Sequence, residues 1–286
     1  MSPRQTDGRK VMQTNALSVT LPTMLVDGKA IAATILDSVT TEVVTLGRTV
    51  TMTAVTCAPN AATKQYLAMK TSRAAAVGVE LQVVELPADV TTEAMVSRVF
   101  HLAQQTDGVV VQLPLPEHID TAAVLAAVPV TKDPDAFAYG EKRDRFLPPV
   151  VGAIDEISKL HEVEWKNKKV VVLGQGKLVG KPAARYARKR GARVRVYESD
   201  TLDVTSLRTA DIIISGMGQP HFITPDMVRS PVVVFDAGTS EAGGVLAGDA
   251  HPDVATVASL ITPVPGGIGP ITIAYLLKNV VKLAQG

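Results

Sequence analysis

The amino-acid sequence predicts an α/β protein built from two units, each a parallel sheet covered by helices. Three observations predict this. Short apolar runs alternate with longer helical patterns along most of the chain. Many of those runs are apolar at consecutive positions, the mark of strands buried on both faces. A stretch rich in proline and charge, "PVTKDPDAFAYGEKRDRFLPPVVG", splits the alternation into two series and marks a domain boundary.

The elements follow in order. From Met24 a helical pattern runs through Ile31, Ile35, Val39 and Val43. "TVTMTAVTC" reads as a strand, and "AATKQYLAMKTSRAAAVG" as a helix stopped by Gly78. "VELQVVEL" is a strand. "TTEAMVSRVFHLAQQ" is a helix with a capping-box start at Thr91. "GVVVQLPL" is a strand and "IDTAAVLAAV" a short helix. Past the boundary, "AIDEISKLHEV" opens the second series as a helix. It continues with strand "KKVVVLG", helix "LVGKPAARYARKRG" and strands "ARVRVYE" and "TADIIISGM". "TPDMV" is a helical start, "PVVVFDAG" and "VASLITPV" are strands, and a last helix runs from about Pro270. Ligands in such sheets lie at the carboxyl ends of the strands. The places to search are therefore just after Cys57, Leu115, Gly174, Glu198, Gly216, Gly238 and Pro263.

Composition narrows the function. With 29 basic and 28 acidic residues the net charge is +1, which offers no attraction to nucleic acid or an anionic membrane. Aromatic residues are only 4%, too few for base-stacking platforms. No apolar run approaches the ~20 residues of a membrane span. The single cysteine, Cys57, excludes an intrachain disulfide and fits a reducing, cytoplasmic setting; its position at the end of an apolar run reads as a small buried hydrophobe. The first 22 residues are polar, with no signal-peptide segment. They read as a loosely ordered tail, an organelle-targeting segment being the other reading. No metal site is expected.

One turn carries a specific chemical signal. "KKVVVLGQGKLVGKP" places Gly174, Gly176 and Gly180 directly after a strand and before a helix. The spacing is one residue longer than the usual dinucleotide fingerprint. Gly174 would make the tight turn and Gly176 would let backbone approach a pyrophosphate. The helix N-terminus would offer free N–H groups to that anion. Glu198 ends the next strand, where a carboxylate accepts hydrogen bonds from both adenine-ribose hydroxyls and repels a 2′-phosphate. The second unit is thus expected to be a Rossmann-type dinucleotide-binding domain.

In the first unit, Tyr66 and Lys70 share one helix face at i, i+4. A Tyr-x-x-x-Lys pair suggests short-chain dehydrogenases, but there the pair follows the glycine turn within one domain, and here it precedes it in the other unit. Gln112 is a polar amide in an apolar run, costly unless hydrogen-bonded. "KDPDAF" brings Asp133 and Asp135 into a turn, whose plainest reading is local side-chain-to-backbone bonding.

Together these segments closely resemble the bifunctional methylenetetrahydrofolate dehydrogenase/methenyltetrahydrofolate cyclohydrolase family. The resemblance spans roughly residues 24–284 in the family's motif order. "LVDGKAIA" is similar to its opening segment. "ATKQYLAMK" resembles Ser-x-x-Tyr-x-x-x-Lys, with Thr63 for the serine. "DGVVVQLPLPEHID" is nearly the family signature. "KDPDAF" resembles Lys-Asp-x-Asp-Gly-Phe, with Ala136 for glycine. "LVGKP", "GDA" at 248 and "ITPVPGGIGPITIAYLL" match the remaining motifs.

The resemblance implies two α/β domains with an active-site cleft between them. Residues 23–149 would form the folate-binding catalytic domain, joined by the C-terminal helix 270–286, and residues 150–269 the nucleotide domain. It implies hydride transfer from 5,10-methylenetetrahydrofolate to a nicotinamide cofactor, then hydrolysis of the methenyl cation to 10-formyltetrahydrofolate. Lys70, Gln112, Asp135 and Tyr66 would be the catalytic set. Lys70 would act as base or proton shuttle, Gln112 would orient it, Tyr66 would pack on the folate and Asp135 would bind the pterin. Leu113, Pro114, Pro265, Gly266, Gly267 and Thr272 would also line the substrate. Gly174, Gln175, Gly176, Val179, Gly180, Glu198, Ser199, Gly216, Gly238 and Thr239 would line the cofactor. The family forms dimers, so a homodimer is expected by analogy.

The departures from the family matter. Its glycine turn usually reads Gly-Arg-Ser, where this chain has Gln175 and Gly176. Its next strand usually ends in His-Ser-Arg, where this chain has Glu198, Ser199 and Asp200. Loss of cations and gain of carboxylates predict NAD over NADP. The Pro-Cys-Thr-Pro loop is "PPVVG" here, and "DVGIN" is "DAGTS". These changes support the other hypothesis, a folate- or nucleotide-binding relative with lost or changed activity.

"PVPGGIGPIT" (263–272) sits between buried elements, yet is stiffened by proline and bared by glycine. It is expected to cross the cleft as an active-site wall. Gly266 and Gly267 would leave room for stacked rings, and Pro270 would begin the last helix.

Overall fold

The structure is a computed structural model that describes residues 23–140, 146–242 and 245–286. The N-terminal tail expected over 1–22, and residues 141–145 of the inter-unit stretch, lie outside the described residues.

The chain opens with β1 (Met24–Leu25), then α1 (Gly28–Leu46), β2 (Val50–Cys57), α2 (Ala61–Ala76) and β3 (Val79–Leu86). α3 (Thr92–Ala103), β4 (Gly108–Val111) and α4 (Thr121–Ala126) follow. The first sheet has the order β3-β2-β4, all parallel. α1 begins where Asp27 caps it, the carboxylate accepting from the N–H groups of Lys29 and Ala30. Thr91 caps α3 through Ala94 N–H at 3.2 Å, but Ala94 has no side chain to bond back, so only half of the expected capping box forms.

α5 (Pro149–Leu160) leads to β5 (Lys169–Leu173), α6 (Gly180–Lys189), β6 (Arg193–Tyr197), α7 (Val204–Arg208), β7 (Ile212–Ser215) and β8 (Val232–Asp236). A hairpin, β9 (Ser240–Ala242) and β10 (Val245–Ala247), precedes β11 (Ala258–Ile261) and the closing helix α8 (Ile268–Gln285). The large sheet has the order β1-β11-β8-β7-β5-β6 and is parallel throughout, so its carboxyl ends share one edge.

Several expectations are corrected. Met24 does not begin a helix. Met24 and Leu25, placed with the first unit in the sequence reading, pair with Leu260 and Ile261 in the large sheet. The helix expected from Ala153 starts at Pro149, because proline suits a first turn whose N–H groups are unpaired anyway. Of "PPVV", Pro148 is therefore the residue ahead of the helix and Pro149, Val150 and Val151 form its first turn. The last helix starts at Ile268 rather than Pro270, and "TPDMV" makes only a short 3₁₀ turn, Pro225–Met227. α7 and the β9–β10 hairpin have no counterpart in the sequence reading. β3 and β6 carry mostly partly buried and exposed residues, Val79 excepted, instead of being buried throughout.

One core runs through both units. α8 lies along α1 and α5, and its Ile271, Ala274, Leu277 and Val281 join Ile35 and Val39 of α1 to Ile154 and Ile157 of α5. The α5–α8 crossing is close, since a Cβ on Gly152 would fall 2.3 Å from the Tyr275 ring. The unit-spanning helix thus fixes both sheets with apolar contact.

Candidate active site

The chemistry of the first unit converges where the middle of α2 faces the end of β4. Lys70 is buried, and its Nζ donates to Gln112 Oε1 at 2.9 Å. Gln112 stands just beyond β4, its backbone N–H held by Val55 O at 2.8 Å. Its side-chain amide donates to Leu113 O, also at 2.8 Å. Both ends of the glutamine are therefore occupied, which answers the cost of burying it. Tyr66 lies one helical turn before Lys70, with the ammonium 4.7 Å from its ring centre.

Electrostatics sets the protonation states. Burial pulls the Lys70 ammonium below its ordinary value, while the nearby Asp135 carboxylate opposes the shift. Burial pushes Asp135 up against the pull of Lys70. The Tyr66 phenol is pushed up to about 12, by burial and then by Asp135, so it stays protonated near neutrality. Asp133 is buried too. Burial, then Asp135, pushes its carboxyl up to about 7. One of its oxygens accepts from Phe137 N–H at 2.7 Å, and the other has no partner. The local bonding expected of this turn is thus present at Asp133. Asn279 of α8 clamps the turn from behind, donating to Pro134 O and Leu147 O at 2.9 Å each. The sequence reading missed Asn279. Its only signal was an amide inside the apolar face of the last helix.

A separate groove of about 480 Å³ lies between α2 and the β2–β3 edge, lined by Thr56, Leu67, Thr71 and Val83 with Lys64 and Glu85. It does not include Lys70, and nothing in its lining matches the chemistry described above.

In the second unit, Gly174 adopts φ +91, a conformation that favours glycine. Its N–H bonds Tyr197 O at 2.8 Å, and Gly216 N–H bonds Leu173 O at 3.0 Å. The ends of β5, β6 and β7 are thereby drawn together, with Glu198 beside the turn. A Cβ on Gly180 would fall 1.9 Å from Gly174 O, so this glycine lets α6 sit on the turn. A Cβ on Gly216 would fall 2.5 Å from Val179. By contrast, nothing lies within 4 Å of a Cβ placed on Gly176, which opens outward beside exposed Gln175. At the start of α6 no side chain caps the helix; Lys181 N–H bonds Gly176 O at 3.1 Å, Ala183 N–H bonds Val179 O at 2.9 Å and Pro182 has no N–H, so backbone carbonyls close most of the first turn. Glu198 and Ser199 are exposed, and Thr201 anchors the Glu198 backbone on both sides. Gly238 N–H bonds Asp236 Oδ1 at 2.9 Å, and Thr239 is exposed.

The crossover splits the two glycines that were paired in the sequence reading. Gly266 has φ +109 and open space where a Cβ would stand. Gly267 faces the protein instead: a Cβ there would fall 2.7 Å from Pro263 O and 2.8 Å from Thr262. Its own carbonyl blocks a Cβ on Gly28 of α1, at 1.8 Å. Gly267 is bare because two backbones meet there, and a large side chain at 267 would disturb the fold. Thr272 Oγ1 bonds back to Ile268 O inside α8. Leu113–Pro114, after β4, and Val264–Pro265, within the crossover, are cis peptides.

Two parallel α/β units, one with a buried lysine–glutamine pair and a carboxylate, the other with a glycine turn at a sheet edge, define a dinucleotide-dependent enzyme with a separate catalytic unit. Residues 26–135 match the tetrahydrofolate dehydrogenase/cyclohydrolase catalytic domain, and residues 148–286 match the NAD(P)-binding domain of the same family. The bifunctional protein FolD of Nautilia profundicola is 37% identical over 275 residues, covering 91% of this chain and 97% of that protein. The crystal structure of the bifunctional FolD of Campylobacter jejuni superposes with a TM-score of 0.87 at 31% identity, covering 92% of this chain and 99% of the other. The Trypanosoma brucei FolD, solved in complex with NADP cofactor and inhibitor, gives a TM-score of 0.85 at 34% identity over 92% and 97%.

The chain belongs to the tetrahydrofolate dehydrogenase/cyclohydrolase family. It is an enzyme with that family's two activities, methylenetetrahydrofolate dehydrogenase and methenyltetrahydrofolate cyclohydrolase, and it uses a nicotinamide dinucleotide. No helix among the described residues is long and apolar enough to cross a membrane.

Proposed function

We propose that this enzyme prefers NAD to NADP and that Lys70 manages the protons of the cyclohydrolase step. The observation that carries the second claim is the buried Lys70 Nζ, 2.9 Å from Gln112 Oε1 and facing the field of Asp135. A lysine whose ammonium is destabilised by burial supplies a neutral amine closer to working pH, and a cationic folate beside it strengthens the effect. Gln112, itself tied to Leu113 O, fixes the direction of the amine. Tyr66 keeps its proton and offers its ring to the folate, with Leu113, Pro114, Pro265, Gly266 and Thr272 around it. Asp135 accepts hydrogen bonds from the pterin.

The residues of the second unit fit a dinucleotide. The open side of Gly176 leaves room for a pyrophosphate to lie against the backbone of the turn ahead of α6. Gln175, Val179, Ser199, Gly216, Gly238 and Thr239 line the same edge. The bound nicotinamide supplies the hydride acceptor, and the chain's part is to align it with the folate across the cleft. In this reading residues 26–149 with 270–286 hold the folate and 150–269, with β1 added to their sheet, the cofactor, in a cytoplasmic homodimer.

Exposed Glu198 beside the Gly174 turn supports NAD, because it meets a ribose hydroxyl well and a 2′-phosphate badly. Turnover of 5,10-methylenetetrahydrofolate followed at 340 nm, with NAD and then NADP, tests the preference. A higher kcat/KM with NAD is expected, and Glu198→Gln should narrow the gap. A higher kcat/KM with NADP overturns the preference.

A further inference from the structure

Two carboxylates in the second unit have no part in the chemistry above. Asp236, the last residue of β8, is 2% exposed, and Asp249, just past β10, is fully buried. Among the described residues neither forms an ion pair. Burial of an uncompensated carboxylate is unfavourable unless its oxygens are fully hydrogen-bonded. Here they are, and the donors are informative.

Asp249 Oδ2 accepts from Ser215 Oγ at 2.6 Å and from Met217 N–H at 2.8 Å, and its Oδ1 accepts from Gln219 N–H at 2.7 Å. One side chain therefore holds the end of β7 and the loop that follows it. Asp236 Oδ1 accepts from Gly238 N–H at 2.9 Å and Asp249 N–H at 3.2 Å, and its Oδ2 accepts from Ala250 N–H at 2.8 Å. Asp236 thus holds both the turn after β8 and the backbone of Asp249. Thr262, just past β11, closes the hub by accepting from Asp236 N–H at 2.7 Å and donating to Asp236 O at 3.2 Å. Gly238 makes the arrangement possible, since a Cβ there would lie 2.2 Å from the Asp249 carboxyl carbon.

All of these strands end at one edge of a parallel sheet. The hub ties the loops after β7 and β8 to the start of the crossover. Gly216 lies in the first loop, Gly238 and Thr239 in the second, and Pro263 to Gly267 in the third. We propose that Asp249, seated by Asp236, is a positioning residue for the dehydrogenase step: it sets the loops at 216–219 and 237–239 against which the nicotinamide dinucleotide lies. The proposal rests on the reading that these loops line the cofactor. Each donor on Asp249 is a backbone N–H or a short hydroxyl, so the carboxylate acts on loop geometry and touches no reacting atom. Hydrolysis of the methenyl cation needs no hydride acceptor, so the cyclohydrolase activity of the same molecule is an internal control.

Asp249→Asn is the test. An amide has one acceptor oxygen and turns an N–H₂ group toward donors, so the three bonds cannot all persist. Amide hydrogen exchange at Met217 and Gln219, KM for NAD, dehydrogenase kcat and cyclohydrolase kcat/KM are measured on the intact enzyme. We expect exchange to quicken at both amides and KM for NAD to rise about 10- to 100-fold, with cyclohydrolase kcat/KM unchanged within twofold. Unchanged exchange overturns the positioning role. Quickened exchange with an unchanged KM for NAD overturns the placement of the loops at the cofactor while leaving the hub intact. Equal loss of both activities makes the residue merely structural and also overturns the proposal. Should Asp249→Asn not fold, Ser215→Ala removes only the hydroxyl bond. A rise of about two- to fivefold in KM for NAD is then expected, cyclohydrolase again being unaffected, and no rise overturns it.

Discussion

The two units prepare their halves of the reaction by opposite means. The first buries charged and polar side chains and uses burial to move their protonation. Lys70 is pulled down, Asp133 and Asp135 are pushed up, and Gln112 is bonded at both ends. The second presents mostly backbone. Gly174, Gly180 and Gly216 are bare because strand ends and a helix start meet there, while Gln175, Gly176, Glu198 and Thr239 face outward. One unit adjusts acids and bases, and the other builds a shape from closely packed backbone. The difference follows from the two tasks. Hydrolysis needs a proton managed at a set atom, whereas a dinucleotide mainly needs to be held and aligned.

The largest expected effect breaks the first unit without touching the second. Lys70→Met removes the amine and keeps much of the apolar stem. Cyclohydrolase kcat should fall by roughly 10²–10⁴, the range of a lost general acid–base group. NAD affinity, read by quenching of reduced-cofactor fluorescence or by calorimetry, should stay within twofold. Retained hydrolysis would remove Lys70 from its role, and a matching loss of NAD affinity would show that the units are not separable.

The next test works within the glycine turn. Gly180→Ala drives a methyl to 1.9 Å from Gly174 O, a backbone atom that cannot move without shifting the β5 end. A loss of about 3 kcal/mol in urea unfolding is expected, with weaker NAD binding. Gly176→Ala places its methyl in open space, so stability should change by less than about 0.5 kcal/mol. Any effect of Gly176→Ala should appear in KM for NAD alone. If both alanines are tolerated equally, the turn is looser than its contacts imply.

Much of this was legible in the sequence because it rests on local signals. The strand–turn–helix around Gly174 and the apolar runs of β2, β5 and β7 are written in consecutive residues. The pairing of Tyr66 with Lys70 is a helical spacing. What escaped was set by distant partners. Met24 and Leu25 look like the start of a helix until β11 offers them a ladder from the other end of the chain. Gly266 and Gly267 are indistinguishable as letters, and only the approach of Gly28 shows that one faces the protein. Asp236, Asp249 and Asn279 are polar residues beside or within apolar runs, and their partners come from several separate loops. α7 and the hairpin are too short to leave a period in the sequence.

The smallest effect sharpens the claim that the first unit stores its chemistry in displaced titrations. Asp133 lies in the same turn as Asp135 but has no assigned contact with substrate. Its carboxyl is pushed up to about 7 in the folded chain, against about 3.9 when unfolded. Below pH 4 both states carry the proton, and Asp133 has no effect on stability. As pH rises toward 7 the unfolded chain ionises first while the folded chain keeps its proton, so stability falls across this window and levels off above it. Asp133→Asn retains an oxygen for Phe137 N–H and cannot ionise. At pH 4 the variant should lie close to the parent in urea unfolding. At pH 8 it should be more stable by roughly 1–3 kcal/mol, because the parent alone must hold a buried charge beside Asp135. A difference between variant and parent that is the same at both pH values would mean that Asp133 ionises in the fold as it does in water. The contrast between a unit that shifts protons and a unit that shapes backbone would then rest on Lys70 and Asp135 alone.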